Sequence, residues 1–243
     1  MRALTFAKRC TKEILRDPLN LAFGLGFPIV LLLLLSAIQS NIPVDLFRIE
    51  ALTPGITVFG LSFMTLFSAT LIARDRESSF LQRLYTSPLK SFDFILGYML
   101  PLIPISLAQS TVCYLVALTL GMTPSVNIFY AIIANFPAAV FHISLGLLCG
   151  SVFNVKQVGG ICGALLTNLC GWFSGVWFDI TLVGGVFLKI ARILPFIHAV
   201  SLEQAVVSGN FTGILPRLCT VLAYALVTTV LAILLFLRQT KKQ

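Results

Sequence analysis

Residues 113–136 read CYLVALTLGMTPSVNIFYAIIANF, two apolar runs meeting across a turn inside an interval, 94–155, that holds no Asp, Glu, Lys or Arg. The Gly, Pro and Asn of GMTPSVN (121–127) are turn residues, so the interval reads as two helices, about 92–120 and 127–153. An Arg, Lys or Asp at the centre of a membrane helix costs about 2.5 to 3.5 kcal/mol, so uncharged intervals mark where a chain can cross lipid. The other such intervals are 18–44, 51–73, 157–178 and 218–237. Each is long enough for the about 20 residues that cross a hydrocarbon core. Composition agrees: a chain of 243 residues that is 58% hydrophobic and 11% charged has too little polar residue to coat a globule.

The expectation is an all-α membrane protein with six transmembrane helices at about 19–39, 53–73, 92–120, 127–153, 157–178 and 217–238. Six spans place both termini on one side. That side carries thirteen Lys and Arg, including Arg2, Lys8, Arg16, Arg74 and Lys241, against only Arg48, Lys189, Arg192 and Arg217 on the other. By the bias of basic residues toward the cytoplasm, both termini are cytoplasmic. The net charge of +8 then follows from topology and contact with anionic membrane lipid, and no nucleic acid is needed to account for it.

Ahead of the six-span domain (18–243), residues 1–17 form an expected amphipathic interfacial helix with Leu4, Ala7, Thr11, Ile14 and Leu15 on one face, ending at Pro18. The apolar run that follows is too long for the core of a secretory signal. Segment 180–208 is apolar, but Lys189, Arg192 and Pro195 make a full crossing expensive; two short re-entrant helices in the outer leaflet fit better. Gly146/Gly150, Gly159/Gly163 and Gly171/Gly175 have the spacing of close helix packing. Pro101, Pro104 and Pro137 are expected to bend the third and fourth spans. The six cysteines show no metal-ligand spacing and read as small packing residues.

Charge concentrates in one place, ARDRESSFLQRLYTSP (73–88), on the cytoplasmic side between spans two and three. Read as a helix, it has Asp75 and Glu77 near its start, Arg83 near its end, and an apolar stripe of Phe80, Leu81, Leu84 and Tyr85. The longer stretch IARDRESSFLQRLYTSPLKSFDFILGYML resembles the cytoplasmic signature of the ABC-2 permease family, the membrane subunits of type-2 ATP-binding-cassette exporters. ILRDPLNLAFGLGFPIVLLLL resembles that family's entry helix and first span. SGVWFDI resembles the Ser-Gly turn closing its fifth span, and ILPFIHAVSLEQAVVSG its re-entrant segment. The sequence departs from the pattern at Asp179, where a proline is common, and at Glu203 and Gln204, where an arginine is frequent.

The resemblance implies a coupling helix seated in a cytoplasmic ATPase, with Arg74, Asp75, Arg76, Glu77, Phe80, Leu81, Arg83, Leu84 and Pro88 as its coupling residues. The polar members would contact the ATPase or the N-terminal helix. The chain has no phosphate-binding G-x-x-x-x-G-K-[ST] loop, so ATP and magnesium are expected on the partner ATPase, with no cofactor, metal or catalytic residue in this chain. The resemblance also implies a second permease copy, a homodimer, in the plasma or inner membrane. Gln109, Asn135, His142, Thr167 and Asn168 are candidates to line a substrate path, each competing with a plain interhelical hydrogen bond. The substrate class is an amphipathic drug, lipid or lipid-linked glycan.

Three other readings compete. An ion-coupled secondary transporter keeps ionisable groups within the bilayer, and in 94–155 and 157–178 only His142 qualifies. An intramembrane serine protease would pair Ser174 with His198. A membrane scaffold would bind no ATPase.

Overall fold

The computed structural model describes residues 2–78 and 91–240, and every regular element among them is helical. In chain order these are α1 (Arg2–Leu15), α2 (Ala22–Gln39), α3 (Ile49–Glu77), α4 (Phe92–Thr119) and α5 (Asn127–Val152). After them come α6 (155–174), α7 (Gly185–Ile193), α8 (Pro195–Val207) and α9 (Ile214–Thr240). In lipid no water is available to backbone N–H and C=O groups, and a helix satisfies them within its own segment. Five of the helices, α2 to α5 and α9, are long and apolar enough to cross a membrane, which makes this a multi-pass membrane protein.

The expected fifth span, 157–178, is helical in α6 but is not among those five. Lys156, Gln157 and Asn168 dilute its apolar character, and its middle, Gly159–Leu166, winds as a π-helix. A left-handed Gly175 (φ 78°), a conformation open to glycine because it lacks a Cβ, ends it. In the region 180–208, α7 and α8 meet at 75° around Leu194. Pro101 and Pro104 lie inside an unbroken α4, whereas α5 is interrupted at Asn135, just before Pro137.

The centre of the bundle is α3, buried from Leu52 to Ala73 except at Leu66 and Thr70. Helix α5 packs along it, and the approach is close because Gly146 and Gly150 lie at the contact. A Cβ at Gly146 would collide with the Thr65 carbonyl and the Ser68 hydroxyl, and one at Gly150 with the Ala69 carbonyl. The other two glycine pairs do not serve this purpose. Gly159 faces open space, and Gly171 leaves room for the Trp177 indole rather than for a helix.

The face of α1 is rotated from the expected one, keeping Ala7 and Ile14 but not Leu4 and Leu15. Phe6, Ala7, Cys10 and Ile14 are buried, while Leu4 and Leu15 are exposed. Aromatic packing accounts for the rotation: Phe6 meets the rings of Phe94 and Tyr98 on α4 edge-on, at 5.8 and 4.9 Å between centroids. All six cysteines are free thiols, and only Cys219 is exposed. Burial pushes the Cys10 thiol up to about 12, against the opposing pull of Arg9, in keeping with a packing role.

Candidate functional site

Two polar centres interrupt the apolar bundle. The first gathers the charges of 74–77. These residues do not begin a helix, as their sequence suggested, but end α3, with Ser78 following as its cap. An acid in the last turn of a helix opposes the helix dipole, so Asp75 and Glu77 need other partners. Asp75, 2% exposed, accepts two parallel bonds from the Arg9 guanidinium, at 2.7 and 2.6 Å, and a third from the Tyr98 hydroxyl at 2.7 Å. A bidentate Arg–carboxylate pair fixes orientation as well as charge. It ties α1, α3 and α4 into one unit, and Arg9 also bridges Glu13 at 2.8 Å. Burial raises the Glu13 carboxyl toward its neutral form while Arg9 holds it down.

The neighbouring charges make further ties. Arg74 pairs with Asp17, just beyond α1, at 3.0 Å. Arg76 donates to the Gly150 carbonyl at 2.8 Å, capping the end of α5, and the Glu77 carboxylate accepts from the Val155 N–H at 2.9 Å, at the start of α6. Thus Arg74 and Asp75 hold the N-terminal segment, while Arg76 and Glu77 hold the α5–α6 junction. The expected coupling residues Phe80, Leu81, Arg83, Leu84 and Pro88 lie outside the described residues.

The second centre lies inside the bundle. Glu203 on α8 is 1% exposed, and its Oε1 accepts from the Thr57 hydroxyl at 2.8 Å and the Tyr114 hydroxyl at 2.7 Å. Ser106, Gln109, Ser110 and Tyr114 form a buried polar row on α4. Gln109 donates to the Thr57 carbonyl at 3.4 Å, and Asn135 donates to the Ser110 hydroxyl at 2.7 Å. Two expected path residues, Gln109 and Asn135, therefore meet on this row. His142 sits apart, its Nδ1 at 3.1 Å from the Thr65 hydroxyl. Thr167 and Asn168 bond carbonyls of their own helix, and Asn168 is exposed.

Sequence reasoning located the charged end but missed both of its deeper partners, Arg9 and Tyr98, and it missed Glu203 as an interior group. Within 94–155 and 157–178 His142 was the one candidate for an ionisable function; α8 adds Glu203 to the interior from outside those intervals. The departure at Glu203 was the one available signal. The Ser174–His198 pairing is absent: Ser174 donates to the Gly171 carbonyl, and His198 bonds the Arg192 carbonyl at 2.8 Å. Among the described residues, no group of three or more His, Cys, Asp or Glu could hold a metal ion.

Fold and polar centres together define a multi-pass helical membrane protein with a charged, cross-braced end. Residues 2–208 match the family described as ABC-2 type transporter, and the chain belongs to that family. It is also similar to a protein of Pyropia yezoensis named "Putative transport permease ycf38", with 32% identity over 149 residues, which is 57% of this chain and 51% of that protein. The chain thus spans about half the length of the curated relative it matches.

Proposed function

We propose that this chain is the permease subunit of an ATP-driven exporter, working with a separate cytoplasmic ATPase and a second copy of itself in the plasma or inner membrane. The ATPase carries the ATP and magnesium. The substrate is amphipathic: a drug, a lipid or a lipid-linked glycan moved outward. Membership of the ABC-2 family carries this reading. In it the chain crosses six times with both termini cytoplasmic, α1 lies along the inner surface, and α7 and α8 form the re-entrant pair.

The bracing of the charged end gives the reading a mechanism. Residues 79–90 would receive the push of the ATPase, with Phe80, Leu81 and Leu84 as apolar seat and Arg83 and Pro88 completing the segment. That push reaches the end of α3 first. From there Asp75 passes it to α1 through Arg9 and to α4 through Tyr98, while Arg76 and Glu77 pass it to the α5–α6 junction. One displaced segment thereby moves several helices together. Gln109, Asn135 and His142 are bonded within the protomer, which favours a path between the two copies rather than through one.

The test is the reconstituted complex with its ATPase, assayed for ATP hydrolysis across a substrate panel. Stimulation by an amphipathic substrate is expected, as is its loss in Leu84→Asp with the protein still inserted. Unchanged stimulation in that variant would sink the coupling assignment. Uphill accumulation by the chain alone in liposomes would replace the whole reading with ion-coupled transport.

A further inference from the structure

Among the described residues four buried side-chain oxygens have no hydrogen-bond partner: those of Ser62, Gln109 (Oε1), Asn135 (Oδ1) and Glu203 (Oε2). Two of them converge on one residue. Glu203 receives the Thr57 hydroxyl on Oε1, and Gln109 donates its amide to the Thr57 carbonyl, which leaves Glu203 Oε2 and Gln109 Oε1 as orphan acceptors in the same polar cluster. Reversing the Gln109 amide does not help, because it would turn that oxygen toward the Thr57 carbonyl. A buried acceptor without a donor is costly in a low-dielectric interior, and a carboxylate there without a cation is more costly still.

Among the described residues, no cation reaches Glu203 from any element packed on α8. From α9, Arg217 donates to the Ser201 carbonyl, Tyr224 donates to the Ile193 carbonyl and Cys219 is exposed. From the start of α3, Arg48 and Glu50 lie on the outer groove. α5 offers the exposed Tyr130, and α6 offers Cys170, packed among Phe141 and Phe196. On α7, Lys189 and Arg192 are exposed, and His198 of α8 itself bonds the Arg192 carbonyl. α4 presents only the Tyr114 hydroxyl and the neighbouring Cys113 thiol. None of the three salt bridges among the described residues involves Glu203.

We propose that Glu203 is a proton-binding site within the bundle, a carboxyl held neutral with its hydrogen on Oε2 and supported by Thr57 and Tyr114. One proton removes the charge that no cation offsets: carried on Oε2, the oxygen without a partner, it leaves Oε1 as the carbonyl that accepts from Thr57 and Tyr114. The proton comes from the end where α3 begins, which the proposed topology makes the outer side. The next residue, Gln204, lines an outer groove of about 410 Å³ together with Ala51, Ser201 and Arg217, and donates to the Ala51 carbonyl at 3.0 Å. Releasing the proton leaves a buried anion with only two hydroxyl donors to hold it, so deprotonation loosens α8 from α3 and α4. The site stands whether or not the chain is driven by ATP.

Infrared difference spectroscopy on the full chain in lipid nanodiscs tests it. At neutral pH the protein is expected to show a protonated-carboxyl C=O band that is absent from Glu203→Gln. In Tyr114→Phe the same band should move to higher frequency, because its carbonyl loses one donor; this variant keeps the test available if Glu203→Gln fails to fold. Lack of a protonated-carboxyl band at neutral pH overturns the assignment, as does a band unmoved in Tyr114→Phe. A sodium-dependent rise in Tm in wild type but not in Glu203→Gln would identify the ligand as a metal cation and likewise refute the proton.

Discussion

Asp75 is almost fully buried, whereas the side chain of its partner Arg9 is one-third exposed, and this asymmetry decides what a substitution does. Removing the arginine leaves a buried anion with only the Tyr98 hydroxyl to oppose it, a loss on the order of 3 kcal/mol. Neutralising both partners removes the problem, because an asparagine in place of Asp75 would still accept from Tyr98. Arg9→Met is therefore expected to lower the Tm of the purified protein well below that of the double variant Arg9→Met/Asp75→Asn, measured by thermal unfolding in detergent. Equal losses would mean that the pair contributes little. Arg9→Lys should fall between, since an ammonium keeps the charge but not the two-pronged geometry. At this scale the sequence is least legible. The crowding of charge at 74–77 is plain, but its partner Arg9 lies 66 positions away, and no local pattern announces that pairing. Reading Asp75 and Glu77 as a helix start followed the usual dipole preference, which tertiary partners override here. Glu203 is hidden for a related reason: its neighbours in sequence are ordinary, and only the bend at Leu194 directs it into the bundle.

Helices were more legible than residues because the cost of charge in lipid acts over whole segments. Four of the five uncharged intervals hold the five long apolar helices, 94–155 holding two that the turn residues at 121–127 separate, while 157–178 holds the more polar α6. What segment-level reasoning lacked was facing. Three glycine pairs look alike in sequence, yet only Gly146/Gly150 sets both glycines against the backbone of a neighbouring helix, where α5 meets α3. The same limit misplaced the apolar face of α1, where Phe6 and its ring partners outweigh Leu4 and Leu15. The difference is measurable. Gly146→Leu forces α3 and α5 apart against backbone atoms that cannot yield, and overpacking of this kind costs about 1–3 kcal/mol or more. Gly159→Ala meets nothing within 4 Å and should change stability by less than about 0.5 kcal/mol. Comparing the two Tm values checks the assignment, and a tolerant Gly146 would refute the close contact.

The bundle as a whole sorts its polar contacts by end. At one end Arg9 meets Asp75, Arg76 caps α5 and Glu77 holds the start of α6. At the other, Gln204 donates to Ala51, Asn127 donates to the Val207 carbonyl, and residues 45–47 share a groove with 174–182. Helix α6 starts at the first end and finishes at the second, alongside helices that are apolar enough to span, even though its own residues are more polar. Shielding by α3 and α5 explains how such a segment can be held there: Val158, Cys162 and Cys149 pack with Ala69 and Ala73 rather than against lipid. We therefore expect α6 to cross, which makes six spans and puts positions 156 and 179 on opposite sides. Single cysteines at Asn41, Ser78, Lys156 and Asp179, all exposed, read this out in a Cys219→Ser background whose remaining thiols are buried. A membrane-impermeant maleimide added to intact cells should label Asn41→Cys and Asp179→Cys, and should reach Ser78→Cys and Lys156→Cys only after permeabilisation. Protection of Asp179→Cys along with Lys156→Cys until permeabilisation would mean that α6 does not cross, that α9 then runs in the opposite direction, and that the two termini lie on different sides.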